Sequence, residues 1–370
     1  MAGILSNLKP LFFLTLFLTS SYKFFGENKT VALDNTSFSS IQILGILIFF
    51  SICFFSDLWR KNYRYEIDFL LFIFFIIGLF SALINFEILS FAYTFIFFLN
   101  TIFIFSIFKF EIFNKKYLVA FLLILTAILF LQYYFFPVNF LSGGRQVGNF
   151  HPNHWSVFGI CIFSLIMFFS NNSYLKILFL PLAFFFPVSV ISRGGFFTLA
   201  IFLIFYALLT FLFKYKKNNL QSMSTYFIIF FFISIFFSPI ISSFVYNFLD
   251  FFEIINSTSR GLDSGFTGRQ IYWDNAKTFI YDKPLLGYGI NNFPHRVHNL
   301  YLLLLLETGL IGLSVFLIST SVIIFNSFSS LFHHYSEKVV VALSFVIAGM
   351  AYGYIERIII EFSQPFSLTF

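Results

Sequence analysis

Long runs of apolar residues, separated by short polar stretches, dominate the chain. Each run is continuous rather than alternating, as in helices that cross a bilayer, whereas strands of a membrane β-barrel alternate over short segments. The pattern therefore predicts an all-α, polytopic integral membrane protein with about 11–12 transmembrane helices. The runs are Leu8–Ser21, Ile41–Phe55, Phe69–Ile84, Leu89–Phe108, Tyr117–Phe136, Trp155–Phe169, Leu175–Ile191, Phe196–Phe213, Tyr226–Val245, Asn299–Phe325 and Val339–Tyr354, with a weak final run at Ile358–Phe370.

The first run resembles a secretory signal peptide, because Lys9 precedes an apolar stretch. No small-residue cleavage site follows it, so we interpret the run as an uncleaved span. Residues 1–370 are then predicted to form a single membrane domain.

Composition excludes two other classes of protein. Hydrophobic residues make up 59% of the 370 residues, charged residues only 10%, and the mean hydropathy is +0.89. A soluble domain is about a quarter charged, and a disordered chain lacks this much apolar surface. The net charge of +6 is not gathered into a basic stripe with interleaved aromatic residues, so no nucleic-acid partner is predicted.

Loop charges give a predicted orientation. With a cytoplasmic N-terminus, one side of the membrane carries 10 Lys and 2 Arg, and the other carries 4 Lys and 6 Arg. Short basic loops face the cytoplasm, whereas long loops cross the membrane largely regardless of charge. We therefore expect loops 137–154 and 246–298 on the side of the membrane away from the cytoplasm, which in a bacterial inner membrane is the periplasm.

Arginine is enriched on the predicted periplasmic side. Its planar guanidinium grips phosphate or carboxylate oxygens at two points, so this bias favours an anionic substrate there. The alternative is a chance distribution of few residues.

The polar residues of chemical interest gather in three segments of that side. The first, residues 142–155, is rich in Gly and Pro and carries Arg145 and Asn153; the alternative is an ordinary surface loop. In the second, Arg193 stands at the edge of an apolar run before two glycines. An ionisable residue at that depth is a functional candidate, although a side chain that reaches for the lipid headgroups gives the same pattern.

The third segment is the loop 246–298. Its pattern predicts an amphipathic helix that begins near Thr267 or Gly268 and places Arg269 in the first turn. A turn-rich stretch, residues 283–289, follows, and then His298 and Asn299 begin a helix. Glu307 lies in the apolar part of that helix, where a carboxylate needs a partner, and a purely structural role is open.

Motifs of other functional classes are missing from the sequence. There is no phosphate-binding loop, no dinucleotide fingerprint and no zinc-protease helix, and Cys53 and Cys161 both lie in apolar runs. No carboxylate cluster offers a Mg²⁺ site, so neither a metal nor a cofactor is predicted. Internal repeats and acidic pairs within spans, which favour a transporter or a flippase, are also not apparent.

The order and spacing of the remaining motifs resemble the bacterial O-antigen polymerase and O-antigen ligase superfamily. They are Arg145–Asn153, Ser192-Arg-Gly-Gly195, Gly268-Arg-x-x-x-Trp273, Pro284-x-x-Gly-x-Gly289 and His298-Asn-x-Tyr-x-x-x-x-x-Glu-x-Gly-Leu-Ile-Gly312, and they cover about residues 142–315. The flanking spans match only in hydropathy.

The resemblance implies a metal-independent glycosyltransferase embedded in the bacterial inner membrane, and a single displacement at the anomeric carbon would make it an inverting enzyme. Its donor would be an oligosaccharide on undecaprenyl pyrophosphate at the periplasmic face, and its other substrate an acceptor glycan. We expect a repeat-unit polymerase for O-antigen or capsule, with O-antigen ligase, which acts in lipopolysaccharide assembly, as the alternative and a lipid-linked glycan flippase as the alternative of another class. A further partner to consider is a chain-length regulator.

Candidate roles follow from that chemistry. The departing pyrophosphate requires cations, for which Arg193 and Arg269 are the first candidates, and the acceptor hydroxyl requires a base, for which His298 is the first candidate. The superfamily has Arg and His residues implicated at matching positions. The predicted substrate-binding residues are Arg145, Asn153, Trp273, Asn299 and Glu307.

Overall fold

The computed structural model describes residues 65–88, 152–190, 192–214, 265–290, 297–354 and Glu356, together with parts of 90–98, 119–134 and 138–147. The predicted spans Leu8–Ser21, Ile41–Phe55, Tyr226–Val245 and Ile358–Phe370 lie outside the described residues, as do parts of Leu89–Phe108 and Tyr117–Phe136.

The longer described elements are helical, as the sequence predicted. They are α1 (Tyr65–Ile84), α2 (Pro152–Phe169), α3 (Ser173–Ser189), α4 (Arg193–Lys214), α5 (Gly265–Asp282), α6 (Leu300–His333) and α7 (Glu337–Gly353). Six of these helices coincide with predicted spans to within a few residues at most ends, and α5 is the amphipathic helix of the 246–298 loop. The largest difference is α6, which continues eight residues beyond the predicted Phe325.

Besides the helices, the described residues include a short antiparallel β-ribbon. Strands β1 (Val138–Phe140) and β2 (Arg145–Val147) pair with Phe140 opposite Arg145. Both lie in the predicted loop 137–154, whose last residues already belong to α2, because that helix begins at Pro152. Proline is favoured in the first helical turn, where its missing N–H costs nothing.

Two of the described helices have the length and composition of membrane spans. These are α4 and α6. Shorter apolar helical stretches lie at Phe72–Ile84 in α1, at Trp155–Phe169 in α2 and at Ser173–Ser189, which is all of α3. The helices of the described chain are thus those expected of a membrane protein. The predicted count of 11–12 spans and the predicted sidedness stay predictions.

The core lies where α2, α3, α4 and α7 pack together. Aromatic side chains fill it, with Trp155, Phe158 and Phe186 in mutual ring contact and Phe202 edge-on to Phe345. Such contacts are favourable beyond the burial of area alone.

Short turns join α2 to α3, α3 to α4 and α6 to α7, so the ends of these helices alternate. Contacts of Asn299 with Tyr354 and of Ser81 with Glu307 bring the start of α6 to the end of α7 and to the end of α1. One end of the bundle therefore gathers the starts of α2, α4 and α6 with the ends of α1, α3 and α7. We call it the site end.

At the opposite end, one carboxylate holds three helices. Glu337, the first residue of α7, accepts from Lys176 of α3 at 2.6 Å and from the hydroxyl of Tyr206 of α4 at 3.0 Å. Lys338 lies over the ring of Phe168 in α2, 5.8 Å from its centroid. These contacts fix the start of α7, whose far end reaches the site end.

Two glycines allow α2 to approach its neighbours closely. A Cβ at Gly159 would lie 2.4 Å from the backbone oxygen of Ala183 in α3, and a Cβ at Gly195 would lie 2.3 Å from Ser156 Oγ. Real Cβ contacts are not this short. Close backbone approach through small residues is a common way to pack membrane helices.

This packing gives a stability prediction. Gly159→Ala should lower the melting temperature of the purified protein in detergent by several degrees, because its methyl group meets fixed backbone of α3. Gly78→Ala is the matched control, since its Cβ would meet only the side-chain ends of Ile290 and Thr94. Equal melting temperatures for the two variants would contradict the proposed close contact.

Candidate functional site

The site is built around Glu356, a carboxylate at the end of α7. The amide of Glu356 donates to the carbonyl of Tyr352 at 2.9 Å, so the backbone keeps a helical turn beyond Gly353. The residue is only 3% exposed. A buried carboxylate is costly unless it is paired, and two cationic or titratable side chains from distant parts of the chain meet it.

Each oxygen of Glu356 has its own partner. Oε1 accepts from Nη2 of Arg269 at 2.5 Å, and Oε2 lies 3.0 Å from Nδ1 of His298. The side chains of Arg269 and His298 keep 20% and 28% of their surface exposed, so both remain partly accessible while the carboxylate does not. The structure thereby brings together two of the three predicted catalytic residues.

The contact also decides the orientation of His298. With a carboxylate at Nδ1, the favoured neutral tautomer carries its proton on that nitrogen, and Nε2 is left as the acceptor. This is the arrangement in which a carboxylate orients an imidazole for proton abstraction.

Arg269 reaches the site because α5 packs against the start of α6. Ala276 of α5 is buried with Val297 and Leu306, and Trp273 and Phe279 pack against the same cluster. The ring of Trp273 also lies 5.8 Å from that of Tyr354, near the end of α7. Trp273 therefore contacts protein in the described structure, and its predicted contact with substrate stays a prediction.

The bounds of α5 shift Arg269 relative to the predicted position. The helix begins at Gly265, so Arg269 lies in its second turn rather than in the first. On the exposed face, Lys277 pairs with Asp274 at 2.8 Å, and this hydrogen bond raises the pKa of Lys277.

Asn299 connects two helix ends at the site. Its side-chain oxygen accepts from the amides of Tyr301 and Leu302, which caps α6, and its Nδ2 donates to the carbonyl of Tyr354 at 3.1 Å. The hydroxyl of Tyr301 adds a 2.7 Å bond to the carbonyl of Met350. The cap holds His298 beside the end of α7, and a direct contact of Asn299 with substrate stays a prediction.

Arg193 is the first residue of α4 and lies at the site end. Ser192 Oγ accepts from the amide of Gly195 at 3.3 Å, which caps the helix, and the close contact of Gly195 with Ser156 holds this turn against α2. Because α4 and α7 pack side by side in opposite directions, Arg193 and Glu356 share one end of the bundle.

Glu307, Arg145 and Asn153 are the remaining predicted site residues. Glu307 is buried in α6, two and a half turns beyond His298, and its backbone carbonyl accepts from Ser81 and Gly289. The backbone of Arg145 lies in β2 and that of Asn153 in α2, and their side chains fall outside the described residues.

Glu356 is the residue that the sequence reasoning missed. The signal available was a single acidic residue at the end of an otherwise apolar span, directly before Arg357. Within the described residues, no group of three or more His, Cys, Asp or Glu residues is placed to hold a metal ion.

Comparison with known families gives a match over the central part of the chain. Residues 177–317 match a family model described as O-antigen ligase. The chain resembles the O-antigen polymerase and ligase superfamily. The matched segment runs from α3 into α6 and includes Arg193, Arg269 and His298, whereas Glu356 lies beyond it.

The family match indicates a glycosyltransferase-like enzyme that acts on lipid-linked glycans. It gives no support to the flippase alternative. No curated protein and no solved structure matches the chain.

The cluster generates a stability prediction. Glu356→Ala should lower the melting temperature by several degrees, because it leaves Arg269 without its buried counter-charge. Glu87→Ala, which removes a carboxylate near the end of α1, is the control and should change little. An unchanged melting temperature for Glu356→Ala would mean that the ion pair does not stabilise the fold.

Proposed function

We propose that the chain is a repeat-unit polymerase of O-antigen or capsular polysaccharide in the bacterial inner membrane. It would transfer an undecaprenyl-pyrophosphate-linked glycan to the next lipid-linked repeat unit at the periplasmic face. The observation that carries the proposal is the Arg269–Glu356–His298 cluster at one end of an apolar helix bundle. A membrane-embedded reaction on a lipid-linked anion needs this combination of a cation and an oriented base.

His298 serves as the general base in this proposal. Nε2 takes the proton of the acceptor hydroxyl, and the carboxylate of Glu356 stabilises the imidazolium that forms. The buried position of Glu356 strengthens this stabilisation, since charges interact more strongly away from water.

Arg269 and Arg193 serve the leaving group. A guanidinium has five N–H donors, so Arg269 can keep one on Glu356 and present others to phosphate oxygens. Arg193, at the same end of the bundle, supplies a second cation. The negative charge that develops on the departing pyrophosphate is met by fixed positive groups, which lowers the barrier without a metal ion.

The reaction is a single displacement. The bond from the anomeric carbon to the pyrophosphate oxygen breaks as the bond to the acceptor oxygen forms, and the acceptor proton passes to His298. Attack from the face opposite the leaving group inverts the anomeric configuration. Arg145 and Asn153 from the 137–154 loop, with Trp273, Asn299 and Glu307, remain the proposed substrate contacts, and a chain-length regulator remains a proposed partner.

O-antigen ligase is the second candidate function. The description of the matched family favours it, and the same base and cations would serve transfer to lipid A–core. The two functions differ in the acceptor, which is a lipid-linked repeat unit for the polymerase and a lipid-bound core for the ligase.

The leaving-group role predicts a strong dependence on guanidinium. Arg269→Lys and Arg193→Lys should each reduce polymer formation at least tenfold, because an ammonium cannot hold two phosphate oxygens in a fixed fork. Polymer from purified, membrane-reconstituted protein and a lipid-linked donor would be measured, with Lys277→Ala as the control. Normal polymer length from both Lys variants would contradict the pyrophosphate contact.

Cells that lack the protein should show whether it acts as a polymerase or as a ligase. Cells without it should display glycan of a single repeat unit, whereas loss of a ligase would leave bare core. His298→Ala should reproduce the null pattern, and His298→Gln should not restore polymer, since an amide cannot accept the proton at neutral pH. A gel of surface polysaccharide decides the matter, and a bare-core pattern would overturn the polymerase assignment.

A further inference from the structure

Helix α6 is broken in its apolar part at Gly309. This residue has φ 66° and ψ −169°, which takes the backbone out of the helix. A break frees carbonyls before it and amides after it from their partners within the helix. In a membrane such groups must be satisfied by protein or by water, since lipid offers no hydrogen bonds.

The chain between α5 and α6 supplies the missing partners. Two of its amides donate to freed carbonyls, and two of its carbonyls accept from freed amides. The four bonds are Tyr288 N to Leu306 O at 2.7 Å, Gly289 N to Glu307 O at 2.9 Å, Leu310 N to Pro284 O at 2.8 Å and Ile311 N to Leu285 O at 3.3 Å. We call the segment Pro284–Gly289 together with Leu306–Ile311 the splice.

Two glycines make the splice sterically feasible. A Cβ at Gly309 would lie under 3.0 Å from the backbone of Leu285, and one at Gly287 would lie equally close to the backbone of Glu307. Both residues have a positive φ, which L side chains rarely adopt. These glycines belong to the Pro284–Gly289 and His298–Gly312 motifs, so part of the sequence signature is explained by backbone contact.

Helix α1 supports the splice from its other side. Ser81 Oγ donates to the carbonyl of Glu307 at 3.1 Å, and Asn85 Nδ2 donates to the carbonyl of Gly287 at 3.0 Å. Lys283 donates to the side-chain oxygen of Asn85 and lies over the ring of Tyr288. Asn85, directly after α1, thus contacts both Lys283 and Gly287 in the chain that follows α5.

The position of the splice in the chain gives it a consequence for the site. The Pro284–Gly289 part of the splice follows α5, which carries Arg269 and ends at Asp282. The Leu306–Ile311 part lies in α6, which begins just after His298. The splice therefore fixes the end of α5 on α6, while Ala276 packs with Leu306 beside it.

We propose that the splice is a positioning element that sets Arg269 against His298, and that Gly287, Gly309, Ser81 and Asn85 are positioning residues for the reaction. This rests on the proposed function. Loosening the splice should let α5 move relative to α6 and weaken the shared contact with Glu356, while substrate still binds.

The test combines a distance with kinetics, in full-length protein reconstituted in lipid. Spin labels at Lys277→Cys on α5 and Tyr174→Cys at the start of α3, with Cys53 and Cys161 replaced by Ala, report the position of α5 relative to the bundle. The double variant Ser81→Ala, Asn85→Ala should broaden or shift this distance distribution. It should also lower kcat about tenfold at unchanged KM for the lipid-linked donor, because the hydrogen bonds from Ser81 and Asn85 that orient the splice are lost.

Thr320→Ala is the matched control, because Thr320 Oγ1 bonds the carbonyl of Phe316 in α6 beyond the break. It should leave the distance and kcat unchanged. An unchanged distance in the double variant would overturn the inference, and so would a raised KM at constant kcat. If the wild-type protein transfers no glycan while the double variant still shifts the distance, the proposed function is overturned and the structural role of the splice stands.

Discussion

The carboxylate of Glu356 is the interaction on which the candidate site depends. It is almost completely buried, and it is stable there because Arg269 and His298 each take one oxygen. Since neither partner is near it in sequence, the pairing requires α5, the start of α6 and the end of α7 to meet at one point. The need to neutralise one buried charge thus determines how three parts of the chain are arranged.

A second constraint comes from the backbone of α6. Its break at Gly309 would expose unpaired amides and carbonyls to an apolar surrounding, which costs several kcal/mol for each group. The segment after α5 satisfies them, so the amphipathic helix α5 is joined to the apolar bundle through backbone hydrogen bonds. The same hydrogen bonds that complete α6 therefore anchor Arg269.

Between these polar contacts, close packing of apolar side chains and backbones holds the bundle together. Aromatic rings fill the space among α2, α3, α4 and α7, and Gly159 and Gly195 let the backbones approach. Charged contacts lie at the two ends, with Glu337 joining Lys176 and Tyr206 at one end and Glu356 at the other. Helix α7 begins with Glu337 and ends three residues before Glu356, so it connects the two ends of the described structure.

The sequence by itself determined most of the helices and two members, Arg269 and His298, of the cluster around Glu356. Continuous apolar runs predicted α1 to α4, α6 and α7, because a helix that is apolar along its whole length is visible in the sequence as one unbroken apolar run. Arg193, Arg269 and His298 could be selected because charged or titratable groups at the edges of apolar runs are costly and need a reason. Only the tertiary structure decided that Glu356 joins Arg269 to His298, that Asn299 donates to the carbonyl of Tyr354, and that the Pro284–Gly289 segment completes a broken helix. Those contacts connect residues far apart in the chain, and no local pattern of polarity records which distant partner a carboxylate, an amide or a free carbonyl will meet.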